Sequence, residues 1–477
     1  NSWGTEGFSS AMNYEYGQIS YQNPDKLFLF AAGNEFAGGT YYSVCDPGGS
    51  KNVLTVGAMD DLYKDDHYSQ FSCSNGAISE TLRELLPGDP WVIDTMGRNS
   101  FINYLDLSQS TSCSAIENHL TIVYSSNPNK PVGNLISPLN NCDLGKSGGI
   151  FVSFDNYPSI LQCDGQTVSM KDVTPLQTNP DKKFQQAEYS SAGPANKGVM
   201  KPDLMGPGTR IISARSSADQ RVHGCRDKEI DFTFMQGTSM ATPNIAGAAA
   251  LVRHYFRTKW PKATNVDLNG PTVRALLINS ATHPSGSQMP DYNYGHGIVD
   301  LSTVLPFDNE FGVAITPQGM TAPNSKGSTL DEASPSLREN SAVEAQIYVE
   351  TGKPLQITMS YLDPILSQNS PYPLTRDLEL VVFTPSNQVL HGDNMTYGSG
   401  STRRIDGQHM STNEKVIISD PQAGTYRIRV YSGPFSDPEN TPQQFSVVVT
   451  GKIENQYLKF NPVTACDTNN CDPQRPV

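Results

Sequence analysis

This sequence carries little charge and nowhere concentrates it. Only 17% of its 477 residues are Asp, Glu, Lys or Arg, and no Lys/Arg run is long enough to follow a phosphate backbone. With 34 basic against 48 acidic residues the net charge is -14, which excludes nucleic acid as an expected partner. Long apolar runs are missing as well: no window approaches the ~20 residues of a membrane-spanning helix, so no span is expected in this chain. No two cysteines are spaced C-x-x-C, which leaves zinc knuckles and thioredoxin-type redox motifs without support. Neither an initiator methionine nor a signal-like segment stands at Asn1, and the start reads as a processed or truncated end.

The eight cysteines, Cys45, Cys73, Cys113, Cys142, Cys163, Cys225, Cys466 and Cys471, are dispersed and even in number. They fit a few disulfides in an oxidising compartment, with buried thiols as the alternative. The sequon Asn394-Met395-Thr396 leans the same way, toward a secreted or extracytoplasmic glycoprotein. With 39 Gly and 34 Pro in 477 residues, the chain reads as two or three globular domains rich in loops and strands.

Two short apolar runs that end in turns, "LFLFAAGN" (Leu27 to Asn34) and "NVLTVGAM" (Asn52 to Met59), read as buried strands of a parallel sheet covered on both faces. Between them and "YSSAGP" (Tyr189 to Pro194) lies an insertion, partly β, at about 63–187. "PTVRALLINSA", Pro271 to Ala281, has proline at a helix start and helical spacing of apolar residues. After a Pro/Gly/Ser-rich linker at 306–325, residues 326–453 alternate with period two between turns, as in an all-β sandwich, and 454–477 form a tail. The expected fold class is therefore α/β followed by an all-β domain.

The segment "MQGTSMATPNIAGAAALVRHYF" (Met235 to Phe256) carries the chemistry. Gly237-Thr238-Ser239 is a tight turn that delivers a serine to a helix N-terminus, where unpaired N–H groups and the helix dipole favour developing negative charge. Spacing alone also fits an ordinary N-cap serine on a tightly packed helix. An α/β-hydrolase elbow is excluded because Ala241 stands where G-x-S-x-G needs its second glycine.

"GTSMATPNIAGAAAL", Gly237 to Leu251, closely resembles the nucleophile motif of the subtilisin-like serine proteases, G-T-S-M-A-x-P-x-x-A-G. The resemblance implies that Ser239 is the nucleophile of a serine endopeptidase that works through an acyl-enzyme. "FAAGNE", Phe30 to Glu35, is similar to the family's oxyanion-hole segment and implies that the Asn34 amide holds the oxyanion. "SWG", Ser2-Trp3-Gly4, resembles the strand that pairs with the substrate backbone, and Ala31, Ala32 and Gly33 the facing wall of the pocket for the side chain before the scissile bond. "KNVLTVGA", "YSSAGP", "KPDLMGPGT" and "YNYGHGIVD" extend the match over about 1–62 and 188–305. Residues 1–305 thus read as the C-terminal portion of a subtilase domain, a partial parallel sheet with helices on both faces. "DLELVVFTPSN" (Asp377 to Asn387) resembles a strand of the jelly-roll-like sandwich that follows this domain in some members.

A subtilase also needs an Asp in D-[ST]-G and a His in H-G-T-H-x-A-G, both upstream of the segment resembling "SWG", and neither motif occurs here. Asp94 in "WVIDTMGRN" imitates the first but lies after Asn34 and is followed by no histidine motif, so it reads as a strand-end turn residue. The chain is accordingly expected to be a fragment or processed part, inactive alone, with the N-terminal part of the same protease as a partner and a peptide or protein as substrate. No cofactor is expected for catalysis. Asp363, Asp377, Glu379 and Asp393, with Asn394, lie near strand ends and suit a structural Ca²⁺, or else simple turn chemistry. The competing reading is a non-catalytic binding or adhesion protein on a subtilase scaffold.

Overall fold

The computed structural model describes residues 1–5, 10–36, 41–60, 185–209, 236–260, 266–284, 290–307, 310–319, 334–365, 373–394, 411–437 and 441–463, together with the backbone of six strands between 68 and 172 and of strands 211–214 and 232–235. The chain divides into two compact units, one of Asn1–Asp60, Phe184–Gly208 and Gly237–Val477, the other of Asp61–Lys183 and Thr209–Gln236. The second unit takes up the expected insertion and also 209–236, which the expected bounds place with the parallel-sheet domain. Its six strands form one mixed sheet in which Ile102–Asp106, Leu120–Tyr124 and Gly149–Val152 run parallel and the others antiparallel. Asp94 and seven of the eight cysteine side chains lie outside the described residues.

In the first unit, strands β1 (Leu29–Ala31), β2 (Leu54–Met59) and β3 (Leu204–Pro207) form a parallel sheet in the order β1-β2-β3. Strand alternation sorts their side chains. Leu29, Leu54, Val56 and Ala58 enter one core with helices α2 (Thr238–Thr258) and α3 (Gly270–Ser280). Phe30 turns to the other face and meets Tyr16 of helix α1 (Ser10–Gln22) edge-to-face at 5.0 Å. Helices therefore cover both faces, as expected, although nothing in the apolar pattern of 10–22 announces α1.

α2 buries Ala241, Ile245, Ala249, Val252 and Phe256, a stripe at helical spacing. Its small residues let it lie close to the sheet: a Cβ built on Gly206 of β3 would stand 3.1 Å from the Ala241 carbonyl oxygen. α3 is buried at every position, so no face of it meets water. Its start is capped by Asn269, whose side chain accepts from the Thr272 N–H at 2.8 Å.

The reason α3 has no wet face lies in the C-terminal strands, β4 (Gly312–Ile315), β5 (Ala342–Val349), β6 (Leu355–Ser360), β7 (Leu378–Phe383), β8 (Val389–His391), β9 (Asn413–Ile418), β10 (Gly424–Ser432) and β11 (Ser446–Gly451). They build two five-stranded sheets. One has the order β9-β6-β11-β4 with Gln456–Tyr457 at its end, the other β8-β7-β10-β5 with Asn461–Pro462. Leu355, Ile357, Val447 and Val449 of the first share a core with Leu380, Val382, Ile428 and Val430 of the second. The first sheet lays its opposite face on α3, where Val448 joins the core of the parallel sheet and its helices. The part expected as tail thus contributes edge strands to both sheets.

Polar side chains tie this joint together. Arg274 of α3 donates to Ser360 Oγ at 2.7 Å and to the Tyr361 carbonyl, and Asn279 Nδ2 donates to Thr358 Oγ1 at 3.1 Å. Lys415 of β9 donates to the carbonyls of Ile278, Asn279 and Ala281 at 3.0, 2.9 and 2.7 Å, a cation closing the C-terminus of α3. Among the described residues, no helix is long and apolar enough to cross a membrane.

Candidate active site

Ser239 is the second residue of α2, and the turn before it is made by Gly237 at φ 143°, a backbone conformation that glycine alone adopts without strain. The Met240 and Ala241 N–H groups donate to the Gly237 carbonyl at 2.9 and 3.2 Å, and the Thr238 N–H donates to Asn34 Oδ1 at 2.9 Å. The Ser239 N–H is left as a donor with no acceptor among the described residues. It points from a helix N-terminus, where the macrodipole adds to its pull on negative charge.

Asn34 is exposed at the end of β1's following turn, yet its amide is not free to rotate. Its Oδ1 accepts from both the N–H and the hydroxyl of Thr238, the latter at 3.0 Å, while the Thr238 hydroxyl in turn accepts from the Gly33 N–H at 3.2 Å. Because an amide oxygen fixed in this way fixes the nitrogen too, Nδ2 is held near Gly237, 3.4 Å from where a Gly237 Cβ would stand. Nδ2 meets no acceptor among the described residues. The sequence motifs point to Asn34 but not to Thr238, whose contact with it spans 204 positions; the Thr of G-T-S is its only signal.

Ser239 Oγ donates to the Ser2 carbonyl at 3.1 Å, and Ser2 Oγ donates back to the Ser239 carbonyl at 2.9 Å. That second bond has a local cause: Pro243, four residues on, has no N–H to give the Ser239 carbonyl its helical partner. Segment 1–5 is docked beside β1. The Asn1 amino group donates to the Leu29 carbonyl at 2.9 Å, the Ala31 N–H donates to the Asn1 carbonyl at 3.1 Å, and Trp3, 44% exposed, meets Phe30 and Tyr16 edge-on. Of the expected substrate walls, Ser2 touches Ser239 and Gly33 touches Thr238, while Trp3 and Gly4 continue from Ser2 and Ala31 and Ala32 lie buried before Gly33.

No histidine bonds Ser239 among the described residues. His283 Nε2 lies 3.1 Å from Asp291 Oδ2, and His391 Nδ1 lies 3.0 Å from Glu379 Oε1, but neither pair bonds the serine. Burial works to raise the Asp291 pKa, but hydrogen bonds from His283 and from the N–H groups of Tyr294 and Asn293 hold it below the usual carboxylate range. His296 is buried, and burial first, then the charges of Lys415 and His283, lower its pKa to about 3.

The carboxylates expected to hold calcium have partners within the protein. Asp363 is ion-paired with Lys51 and accepts from the N–H groups of Thr375 and Arg376 at 2.7 and 2.8 Å. Glu379 meets His391, Asp393 accepts from the Lys415 N–H at 3.0 Å, and Asp377, like Asp363, lies near the buried Tyr361 phenol. Among the described residues no group of three or more His, Cys, Asp or Glu is placed to hold a metal ion.

A model of the subtilase family matches residues 1–297. The serine protease AprX of Bacillus subtilis (strain 168) is 38% identical over 123 residues, 25% of each chain. The serine protease/ABC transporter B family protein tagA of Dictyostelium discoideum is 24% identical over 292 residues, 58% of this chain and 16% of its own. The subtilisin-like protease SBT4.4 of Arabidopsis thaliana is 29% identical over 161 residues, 31% of this chain and 20% of its own. The match thus spans a quarter or less of each of these relatives. Among solved structures, that of an S218A mutant of the protease domain of PatA is 14% identical, with a TM-score of 0.28 over 63% of this chain and 55% of that one.

Proposed function

The chain belongs to the subtilase family, and from that premise we propose that it is the nucleophile-bearing part of a serine endopeptidase that cleaves peptide bonds through an acyl-enzyme. Ser239 Oγ attacks the scissile carbonyl, its proton passes to a histidine, and the tetrahedral oxyanion is held by Asn34 Nδ2 and the Ser239 N–H. The intermediate collapses with cleavage of its C–N bond as the histidine gives that proton to the leaving amine, and water then hydrolyses the acyl-enzyme. Substrate lies extended along Ser2-Trp3-Gly4 on one side and Ala31-Ala32-Gly33 on the other. The observation that carries the proposal is the lock on Asn34, whose Oδ1 accepts from the N–H and the hydroxyl of Thr238, the residue before Ser239, while its Nδ2 has no acceptor among the described residues.

The histidine and its orienting aspartate come from polypeptide outside these 477 residues, since the sequence contains neither motif. In the present arrangement the Ser239 proton rests on a carbonyl, which is no base, and the chain by itself is inactive. The N-terminal part of the same protease supplies the base. The paired five-stranded sheets read as a jelly-roll-like sandwich, and the dispersed cysteines and the sequon at Asn394 support a secreted or extracytoplasmic site of action.

The test is hydrolysis of a denatured protein by the product of the complete gene, beside its Ser239→Ala variant. Cleavage that depends on Ser239 supports the proposal. A folded product that cleaves no faster than Ser239→Ala refutes it and favours the binding protein.

A further inference from the structure

The two walls that flank Ser239 converge on one side chain. Segment 43–46 runs between them: the Cys45 N–H donates to the Ala32 carbonyl at 2.8 Å, and Asp46 pairs with Thr5, N–H to carbonyl in both directions, at 2.9 and 3.3 Å. A Cβ placed on Gly4 would lie 2.9 Å from Cys45 Cβ. One placed on Gly33 would lie 2.5 Å from Cys45 Sγ, 3.1 Å from its Cβ and 2.8 Å from Ser191 Oγ. Gly33 also stands at φ 110°, so both the backbone and the thiol demand glycine there. The Cys45 side chain, 6% exposed, fills the floor between the walls.

The chemistry of this slot is uniform. Gly4, Ala32, Gly33, Cys45 and Ser191 bring no charge to it. The nearest carboxylate in sequence, Asp46, is turned away toward α1, where it accepts from Asn13 Nδ2 at 2.5 Å. A charged side chain entering between the walls would lose its water and find no counter-ion among these five residues. A long one would meet sulfur.

Resting on the acyl-transfer reading above, we infer that the substrates are polypeptides with a small uncharged residue, Gly, Ala or Ser, immediately before the cleaved bond, and that Cys45 is the residue that sets this limit. Filling a slot beyond its depth is discriminated by about 10–200-fold per methylene group in a tight apolar pocket. Shortening Cys45 returns that depth to the substrate.

The probes are peptidyl diphenyl phosphonates carrying alanine or phenylalanine at the reacting position, and a plain alkyl fluorophosphonate that needs no side-chain pocket. They are applied to the product of the complete gene and to its Cys45→Ala and Cys45→Ser variants, and the rates of Ser239 labelling are compared. The wild type reacts at least ten-fold faster with the alanine probe than with the phenylalanine probe. Cys45→Ser keeps that ratio, because its hydroxyl fills nearly the same volume, and Cys45→Ala lowers it ten-fold or more. Equal or inverted preference in the wild type overturns the inference, as does an unchanged ratio in a Cys45→Ala protein that still reacts with the alkyl probe. Loss of alkyl labelling at Ser239 in the wild type overturns the acyl-transfer reading itself, and the inference with it.

Discussion

Two helix ends in the larger compact unit hold polar groups in opposite ways. At the C-terminus of α3 the carbonyls of Ile278, Asn279 and Ala281 are met by the buried ammonium of Lys415. At the N-terminus of α2 the Ser239 N–H and the Asn34 Nδ2 have no acceptor among the described residues, although Thr238 holds the amide in place. The difference follows from water. A buried donor or acceptor left unmet costs about 1–3 kcal/mol, whereas at a solvent-facing end water fills the vacancy at little cost. The first end is therefore built for cohesion, and the second keeps oriented donors that an oxyanion can claim.

The largest break in this comparison is expected at the buried joint. Asp363→Ala strands Lys51, whose ammonium donates otherwise only to the carbonyls of Pro364 and Pro373 among the described residues. The removal of one partner from a buried pair costs about 3–5 kcal/mol, read as a lower urea midpoint at unchanged slope. A shift below about 1 kcal/mol would show that the joint does not depend on the pair.

At the open end the cost should fall on catalysis instead. Asn34→Ala in the complete protease is expected to lower turnover by about 10²–10³ and stability by only about 1 kcal/mol, the loss of its cap on the Thr238 N–H. Equal losses in both would merge the two helix ends into one structural class.

The joint should also respond to acid. His296 is buried beside Lys415, His283 and Asp393, and its folded-state pKa, about 3, lies below the ordinary value of 6.5. Below pH ~6.5 the unfolded chain binds a proton that the folded chain refuses, so stability is present above 6.5 and is lost as pH falls toward 3, by at most about 1.4 kcal/mol per pH unit. His296→Gln should flatten this limb of the midpoint-against-pH curve, and an unchanged limb would assign the acid response to other groups. The smallest effect belongs to the exposed pair Arg257 and Asp267, 2.5 Å apart and each more than half exposed, where Arg257→Ala should shift the midpoint by less than ~1 kcal/mol.

These two ends were not equally legible in the sequence. Ser239 and Asn34 could be read because chemistry fixes residue types in short contiguous motifs. Thr238's hold on Asn34 and the slot around Cys45 join segments far apart in the chain, and no local pattern records them. Lys415, Arg274 and Asp363 left no sign of burial in the sequence, because charged residues in alternating strands, on a helix or at a strand end read as solvent-facing unless a partner layer is known. The neighbouring layer buries all three. α1 escaped notice because its contacts, Tyr16 with Phe30 and Asn13 with Asp46, depend on partners elsewhere rather than on an apolar stripe.

The account stands most directly on whether the base for Ser239 lies outside this chain. Fluorophosphonate labelling followed by peptide mapping, run on the complete gene product and on the 477-residue chain alone, decides it. The account predicts modification of Ser239 in the complete product and none in the chain alone. Modification of Ser239 at comparable rate in the chain alone would contradict it, because a base would then be present within these residues.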